Sequence, residues 1–132
     1  MSQGSCPSAK VDFASVDGIG DPISSTTYVN VPGLNRVINI KGTGKSCVVI
    51  QLSTYAFIGT VDVIDLQATM GGVALAPLDQ QVTGNDDTYG SQHSAAWVVT
   101  GVSPGKHRIR IKAHTLGGDG YLGDAVMSIF HR

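Results

Sequence analysis

Lys106-His107-Arg108-Ile109-Arg110-Ile111-Lys112-Ala113-His114 is the stretch whose reading decides the fold. Side chains along a strand point alternately to opposite faces, whereas a helix would spread the same residues around its circumference. With a period of two, Ile109, Ile111 and Ala113 share one side with His107. Lys106, Arg108, Arg110, Lys112 and His114 share the other. One apolar side and one wet side describe a strand of an antiparallel sheet packed on a core.

The composition agrees with that strand. All ten acidic residues are aspartate and glutamate is absent. Glutamate favours helices, while the short aspartate carboxylate competes for nearby backbone N–H groups and favours caps and turns. Val and Ile total 25 against seven Leu, with 17 Gly, a profile of strands joined by glycine-rich turns. A chain of 132 residues suits one domain and buries about 65–70% of its unfolded surface without needing a metal or a disulfide. Only 14% of residues are charged and the net charge is −1. Taken together, this composition excludes a helix bundle, a coiled coil, a disordered acidic tail and a basic nucleic-acid arm.

Working outward from 106–115, strand signals recur at short spacing from residue 25 on. They cover 26–30, 34–41, 46–55, 60–70, 73–76, 93–100, 106–115 and 121–131. Val31-Pro32-Gly33 is expected to end the first, and Gly42-Thr43-Gly44 to turn the second into the third. Residues 77–92 are expected as loop, with Gly84-Asn85-Asp86-Asp87 their most polar part. Eight antiparallel strands and no helix signal predict an all-β, eight-stranded jelly-roll sandwich over 25–132. A seven-stranded immunoglobulin-like sandwich is the runner-up, though its Cys…Trp…Cys signature is missing. Residues 1–24 read as an extended N-terminal arm lying on the domain or on a neighbouring subunit. Trp97 is expected between the sheets.

The N-terminus has no basic segment followed by an apolar one, so a signal peptide is not expected and synthesis in a cytoplasm is. No apolar run approaches the roughly 18 residues that span a bilayer. Cys6 and Cys47 are the only cysteines. A bridge would close a loop of about 40 residues and add about 4 kcal/mol, yet the cytoplasmic origin favours the reduced pair. Cys47 then reads as a small buried hydrophobe.

Motifs for chemistry are scarce. Gly44-Lys45-Ser46 looks like the end of a phosphate loop, but position 39 is Asn and a strand follows where a helix is needed. Gly117-Gly118-Asp119-Gly120 and Gly84-Asn85-Asp86-Asp87 lack the spacing of a calcium loop and read as solvated turns. His93, His107, His114 and His131 have no zinc-ligand spacing, and no nucleophile elbow is present. No enzyme, cofactor or metal is expected.

Four of the nine basic residues therefore stand on one strand face. Neighbours there are about 6.8 Å apart and repel by about 0.6 kcal/mol each in water before screening. Either aspartates such as Asp62 or Asp65 meet this stripe across strands, or it receives an acidic partner: a subunit, a capsid surface or an anionic glycan. Nucleic acid fits poorly, because no aromatic interleaves with the stripe. Tyr28, Tyr55, Tyr89 and Tyr121 fall at strand ends or in loops, where a ring can serve a sugar or a partner chain.

Ser25-Thr26-Thr27-Tyr28-Val29-Asn30-Val31-Pro32-Gly33-Leu34 resembles the opening of small bacterial and phage jelly-roll modules of the TNF/C1q-like type. Val99-Thr100-Gly101-Val102-Ser103-Pro104-Gly105-Lys106-His107 is similar to a later turn of the same modules. The resemblance spans about residues 24–131 and implies two roles. One is that of virion decoration, cement or fibre-knob proteins, which implies a homo-oligomer, expected as a trimer, on a virion surface with a capsid or other virion protein as partner. The other is that of the TNF-like fucose-binding lectin. There Tyr55, at the end of Ile50-Gln51-Leu52-Ser53-Thr54-Tyr55, would contact sugar, helped by His93 and Arg110 of a neighbouring chain. The lectin arginines would fall near Ser91-Gln92-His93 and Leu116, where this chain has none. The binding residues expected are Tyr55, His93, Arg108, Arg110 and Lys112, with no nucleic acid and no membrane as partner.

Overall fold

A computed structural model describes residues 4–59, 63–82 and 90–132. These form nine strands: β1 (Lys10–Ile19), β2 (Val29–Ile40), β3 (Ser46–Ile58), β4 (Ile64–Met70), β5 (Val73–Ala74), β6 (Gln80–Gln81), β7 (Ser91–Val102), β8 (Gly105–Thr115) and β9 (Gly120–His131). Among the described residues there is no helix, and so none long and apolar enough to cross a membrane.

The chain pairs with itself from its ends inward. β1 lies against β9, β2 against β8, β3 against β7, and β4 against β5 and β6, all antiparallel. Contacts β3–β9 and β4–β8 join these pairs into two sheets. One sheet has the order β1-β9-β3-β7, the other β2-β8-β4-β5 with β6 beside β4. A long antiparallel ribbon wrapped over on itself in this way is a jelly roll.

Alternation places the core. Val48, Ile50, Leu52 and Ala56 of β3, Trp97 of β7, and Met127 and Ile129 of β9 face Leu34, Ile38, Leu66, Ile109 and Ile111 of the other sheet, all buried. Trp97 is fully buried, and its indole N–H donates to the Pro77 carbonyl at 3.1 Å. The ring fills the space between sheets while its one polar atom is satisfied.

Nine strands replace the expected eight for local reasons. Residues 26–30 and 34–41 are expected as two strands, but 29–30 and 34–40 belong to one, β2, with a register shift between Asn30 and Asn35, and 26–28 lie before it. Val31-Pro32-Gly33 makes a bulge there and not a turn, because β2 is an edge strand and Pro32 needs no ladder N–H. Gly33 has φ +84°, and a Cβ on it would stand 2.7 Å from Val16 Cγ2, so only glycine lets β1 approach. Residues 10–19, within the segment read as an arm, are β1, hydrogen-bonded along β9. Gln80–Gln81 adds β6 inside the expected loop. Residues 60–62 of the expected fourth strand lie outside the described residues, as do Asp62, Tyr89 and Gly84-Asn85-Asp86-Asp87.

The expectation of reduced cysteines is overturned. Cys6 and Cys47 form a disulfide, with Cα atoms 5.6 Å apart, a spacing that suits a bridge. It ties the segment before β1 to the first residues of β3.

Candidate functional site

A continuous polar feature is the outer face of the β2-β8-β4 sheet. Burial along β8 alternates as expected: Ile109, Ile111 and Ala113 are buried, Lys106, Arg108 and Arg110 are exposed, and Lys112 and His114 are half-buried. Ladder register sets what stands beside each cation. On the β2 side Lys106 faces Asn39, Arg108 faces Val37, Arg110 faces Asn35, and Lys112 faces Asn30. On the β4 side Arg110 faces Thr69 and Lys112 faces Gln67. The cations therefore form a lane flanked by uncharged residues, mostly amides, with Val37 beside Arg108 and Thr69 beside Arg110.

Charge compensation reaches only one end. Asp65 Oδ2 lies 3.3 Å from His114 Nε2. Arg108 Nη1 donates to Asn35 Oδ1 at 3.0 Å, a neutral acceptor. Among the described residues no carboxylate pairs with Lys106, Arg108, Arg110 or Lys112. Of the two aspartates expected opposite the stripe, Asp65 meets its last member and Asp62 lies outside the described residues. Tyr28 completes the acidic end: its hydroxyl donates to Asp79, and its ring meets His114 edge-on with centroids 4.4 Å apart. Burial, and then the Asp79 carboxylate beside it, push the Tyr28 hydroxyl far above its ordinary pKa. The lane is thus polarised along its length, with four cations at one end and a Tyr–His–Asp cluster at the other.

The remaining expected residues lie elsewhere. Tyr55 is on β3 and His93 on β7, both in the opposite sheet. Tyr55 is half-buried, and a Cβ on Gly90, which has φ +85°, would collide with its ring. Tyr55 also belongs to an aromatic group: its ring lies 6.2 Å from Phe57, and Phe57 stacks on Tyr121 at 4.5 Å. His93 pairs with Thr54, which is fully buried, and its Nε2 is 2.9 Å from Ser91 Oγ. Tyr55 and His93 consequently occupy opposite faces of one sheet, and neither meets Arg108, Arg110 or Lys112 within the chain.

Two features escaped the sequence. A half-open cleft of about 530 Å³ lies where β1 and β2, the free edges of the two sheets, approach, with Val16, Ile19, Ile23, Val29, Leu34 and Leu122 on its walls. Asn30, Val31 and Pro32 of the β2 bulge line it, and local sequence did not announce that bulge. Elsewhere between the same two strands, Asp12 of β1 accepts from Arg36 Nη2 of β2 at 2.9 Å and lies 2.7 Å from Nε2 of the fully buried His131. That network bridges the two sheets. The hydrogen bond to His131, then the one from Arg36, hold the Asp12 carboxyl below the usual carboxylate range. Among the described residues no group of three or more His, Cys or Asp side chains is placed to hold a metal ion.

No family model and no curated protein matches this chain. Solved structures share its fold. Part of dimeric latent PorU from Porphyromonas gingivalis is similar over 97% of this chain and 13% of that one, at 10% identity and a TM-score of 0.58. The C-terminal domain of EclA, a sugar-binding protein, is similar over 96% of this chain and 81% of that one, at 8% identity and 0.53. A chain of the T13 IBDV viral particle is similar over 97% of this chain and 32% of that one, at 10% identity and 0.53. The chain thus spans a small part of the first and about a third of the last. Likenesses this distant in sequence concern the jelly-roll fold alone.

Proposed function

We propose that the chain is a non-enzymatic structural module of a virion surface, of the decoration, cement or fibre-knob kind, acting as a homo-oligomer. The observation that carries this reading is the lane Lys106-Arg108-Arg110-Lys112, which no described carboxylate pairs. An unneutralised lane on a rigid sheet repels itself and gains free energy when an acidic partner meets it, fastest at low salt. On this reading the partner is an acidic patch of a capsid or other virion protein. The stabilisation comes from added interface, about 1,600 Å² for a standard contact. The jelly-roll likeness to a viral particle chain supports the choice. Mixing the purified protein with candidate shells tests it. Association that is lost in Arg108→Asp/Arg110→Asp and in high salt is expected; shells whose composition and heat tolerance never change would refute it.

A second reading, a carbohydrate-binding module of the TNF-like lectin type, is favoured by one observation. The stacked pair Phe57–Tyr121 with Tyr55 beside it offers half-buried aromatic rings, and ring faces bind the apolar faces of sugars. The likeness to the EclA domain is compatible with it. Under this reading Tyr55→Ala abolishes retention on a glycan array. A variant that binds as well as the parent excludes it.

A further inference from the structure

The cleft of about 530 Å³ between β1 and β2 leads from solvent into the core. Of the residues on its walls, Leu34 and Leu122 are buried, whereas Ile19 is 48% and Val29 39% exposed. Exposure thus grades from a floor at Leu34 and Leu122 to a mouth at Ile19 and Val29. The cleft lies at register shifts in both strands, between Val16 and Ile19 of β1 and between Asn30 and Asn35 of β2. A mostly apolar cleft within about 300–1,000 Å³ has the size of a small-molecule site.

The walls select the chemistry of an occupant. Pro22 and Pro32 line the cleft and carry no backbone N–H. Gly20 and Ile23 donate theirs to the Leu122 and Gly120 carbonyls at 3.1 and 2.7 Å. The Ile23 and Ser25 carbonyls accept from Gly120 and Thr115 at 2.9 and 2.8 Å. Main-chain groups of the link between β1 and β2 are therefore spent on β8 and β9. A peptide or sugar reaching the floor would bury polar groups that find few partners there, each at the cost of a lost hydrogen bond. An alkyl chain has no such groups. None of the described wall residues is aromatic, so a sugar face or flat ring finds nothing to stack on.

Polarity is confined to the mouth. Asp21, Ser24 and Asn30 line the cleft and are exposed, and Asp21 is the one ionisable residue on the described walls. The β1 bulge beside it adds exposed Asp17 and, on β9, exposed Asp124. None of these three carboxylates forms an ion pair among the described residues. Arg110 of the basic lane lines a separate recess of about 80 Å³. A head group at the mouth consequently meets negative charge.

We infer that the cleft binds one dissolved aliphatic amine, its chain between the sheets over Leu34 and Leu122 and its ammonium at the mouth beside Asp21. Burial of methylenes carries the affinity, and an exposed carboxylate adds the choice of head group. The walls share no residue with the Lys106-Arg108-Arg110-Lys112 lane. The inference therefore stands apart from the reading above, and docking on shells can fail without touching it.

Methyl NMR titration of the full chain with butylamine, hexylamine and octylamine, each below its aggregation concentration, tests it. Signals of Ile19, Ile23, Val29, Leu34 and Leu122 are expected to shift saturably, while those of exposed Val98 and Val126 stay in place. Affinity should rise about two- to four-fold per added methylene, four being the limit of full burial. Octylamine should bind about two- to five-fold tighter than octanol, with octanoate weakest. Asp21→Asn should erase that order and leave octanol unaffected. Val29→Trp and Ile19→Trp, both at exposed mouth positions, should abolish the saturable shifts with an unchanged far-UV β spectrum. Absent saturation, equal shifts at Val98, or affinity independent of chain length would overturn the inference. So would a head-group order that survives Asp21→Asn, or binding that survives both tryptophan variants.

Discussion

Asp12 shows how one side chain can join distant parts of a chain. It is the shared acceptor for Arg36 of β2 and for His131 of β9, whose imidazole is fully buried with Nδ1 also 3.0 Å from the Arg132 carbonyl oxygen. Asp12→Ala leaves a buried ring nitrogen without its partner and should cost about 1–3 kcal/mol, read as a lower denaturation midpoint with an unchanged slope. The carboxyl is held below its ordinary value of about 3.9 in the fold. Its contribution is therefore complete above that value and is lost as pH falls through the lowered folded pKa. Asp12→Ala should accordingly show a smaller acid-side loss of stability than the parent, measured by urea titration between mildly acidic and strongly acidic buffers. No short-range pattern marked this site, because Asp12 and His131 stand at opposite ends of the chain and only the β1–β9 register brings them together.

At the scale of elements, β8 was legible because its alternation is clean: buried Ile109, Ile111 and Ala113 against exposed Lys106, Arg108 and Arg110. β1 was not, since its larger apolar residues, Val11 and Phe13, face solvent and its inward set includes Asp12. A strand whose pattern is inverted by an unpartnered face looks like polar irregular chain from sequence. β2 was cut in two because Pro-Gly ordinarily ends a strand, and its survival depends on edge position and on the glycine at 33 beneath Val16. The Cys6–Cys47 bridge is not legible in sequence, because the 5.6 Å Cα separation that permits it arises only when the segment before β1 lies against β3. With 41 residues of separation, the bridge removes enough unfolded-state freedom to be worth up to about 4 kcal/mol on the chain-entropy model. Cys6→Ser/Cys47→Ser, or reduction, should lower the melting temperature without altering the β spectrum. An unchanged melting temperature would mean that the link constrains nothing.

At the scale of the molecule, the near-zero net charge conceals two unlike faces. One sheet presents twelve uncharged positions in three rows, and the other a lane of four cations ending in Tyr28, His114, Asp65 and Asp79. The basic lane was readable residue by residue from alternation alone. The uncharged face was not, because its rows draw single residues from four strands far apart in sequence, and only register assembles them. The same limit applies to Tyr55, His93 and Arg110: each stands on an identifiable strand, but the sheet order separates them within a chain.

The lane's role is tested most directly by measuring binding to purified shells across a salt series, for the parent and for Arg108→Asp/Arg110→Asp. The account predicts that parent affinity falls steadily with added salt, and that the double variant binds about ten-fold or more weaker at low salt with a flattened salt dependence. Equal binding by both proteins, unaffected by salt, would contradict it and leave Lys106-Arg108-Arg110-Lys112 as ordinary solvated surface.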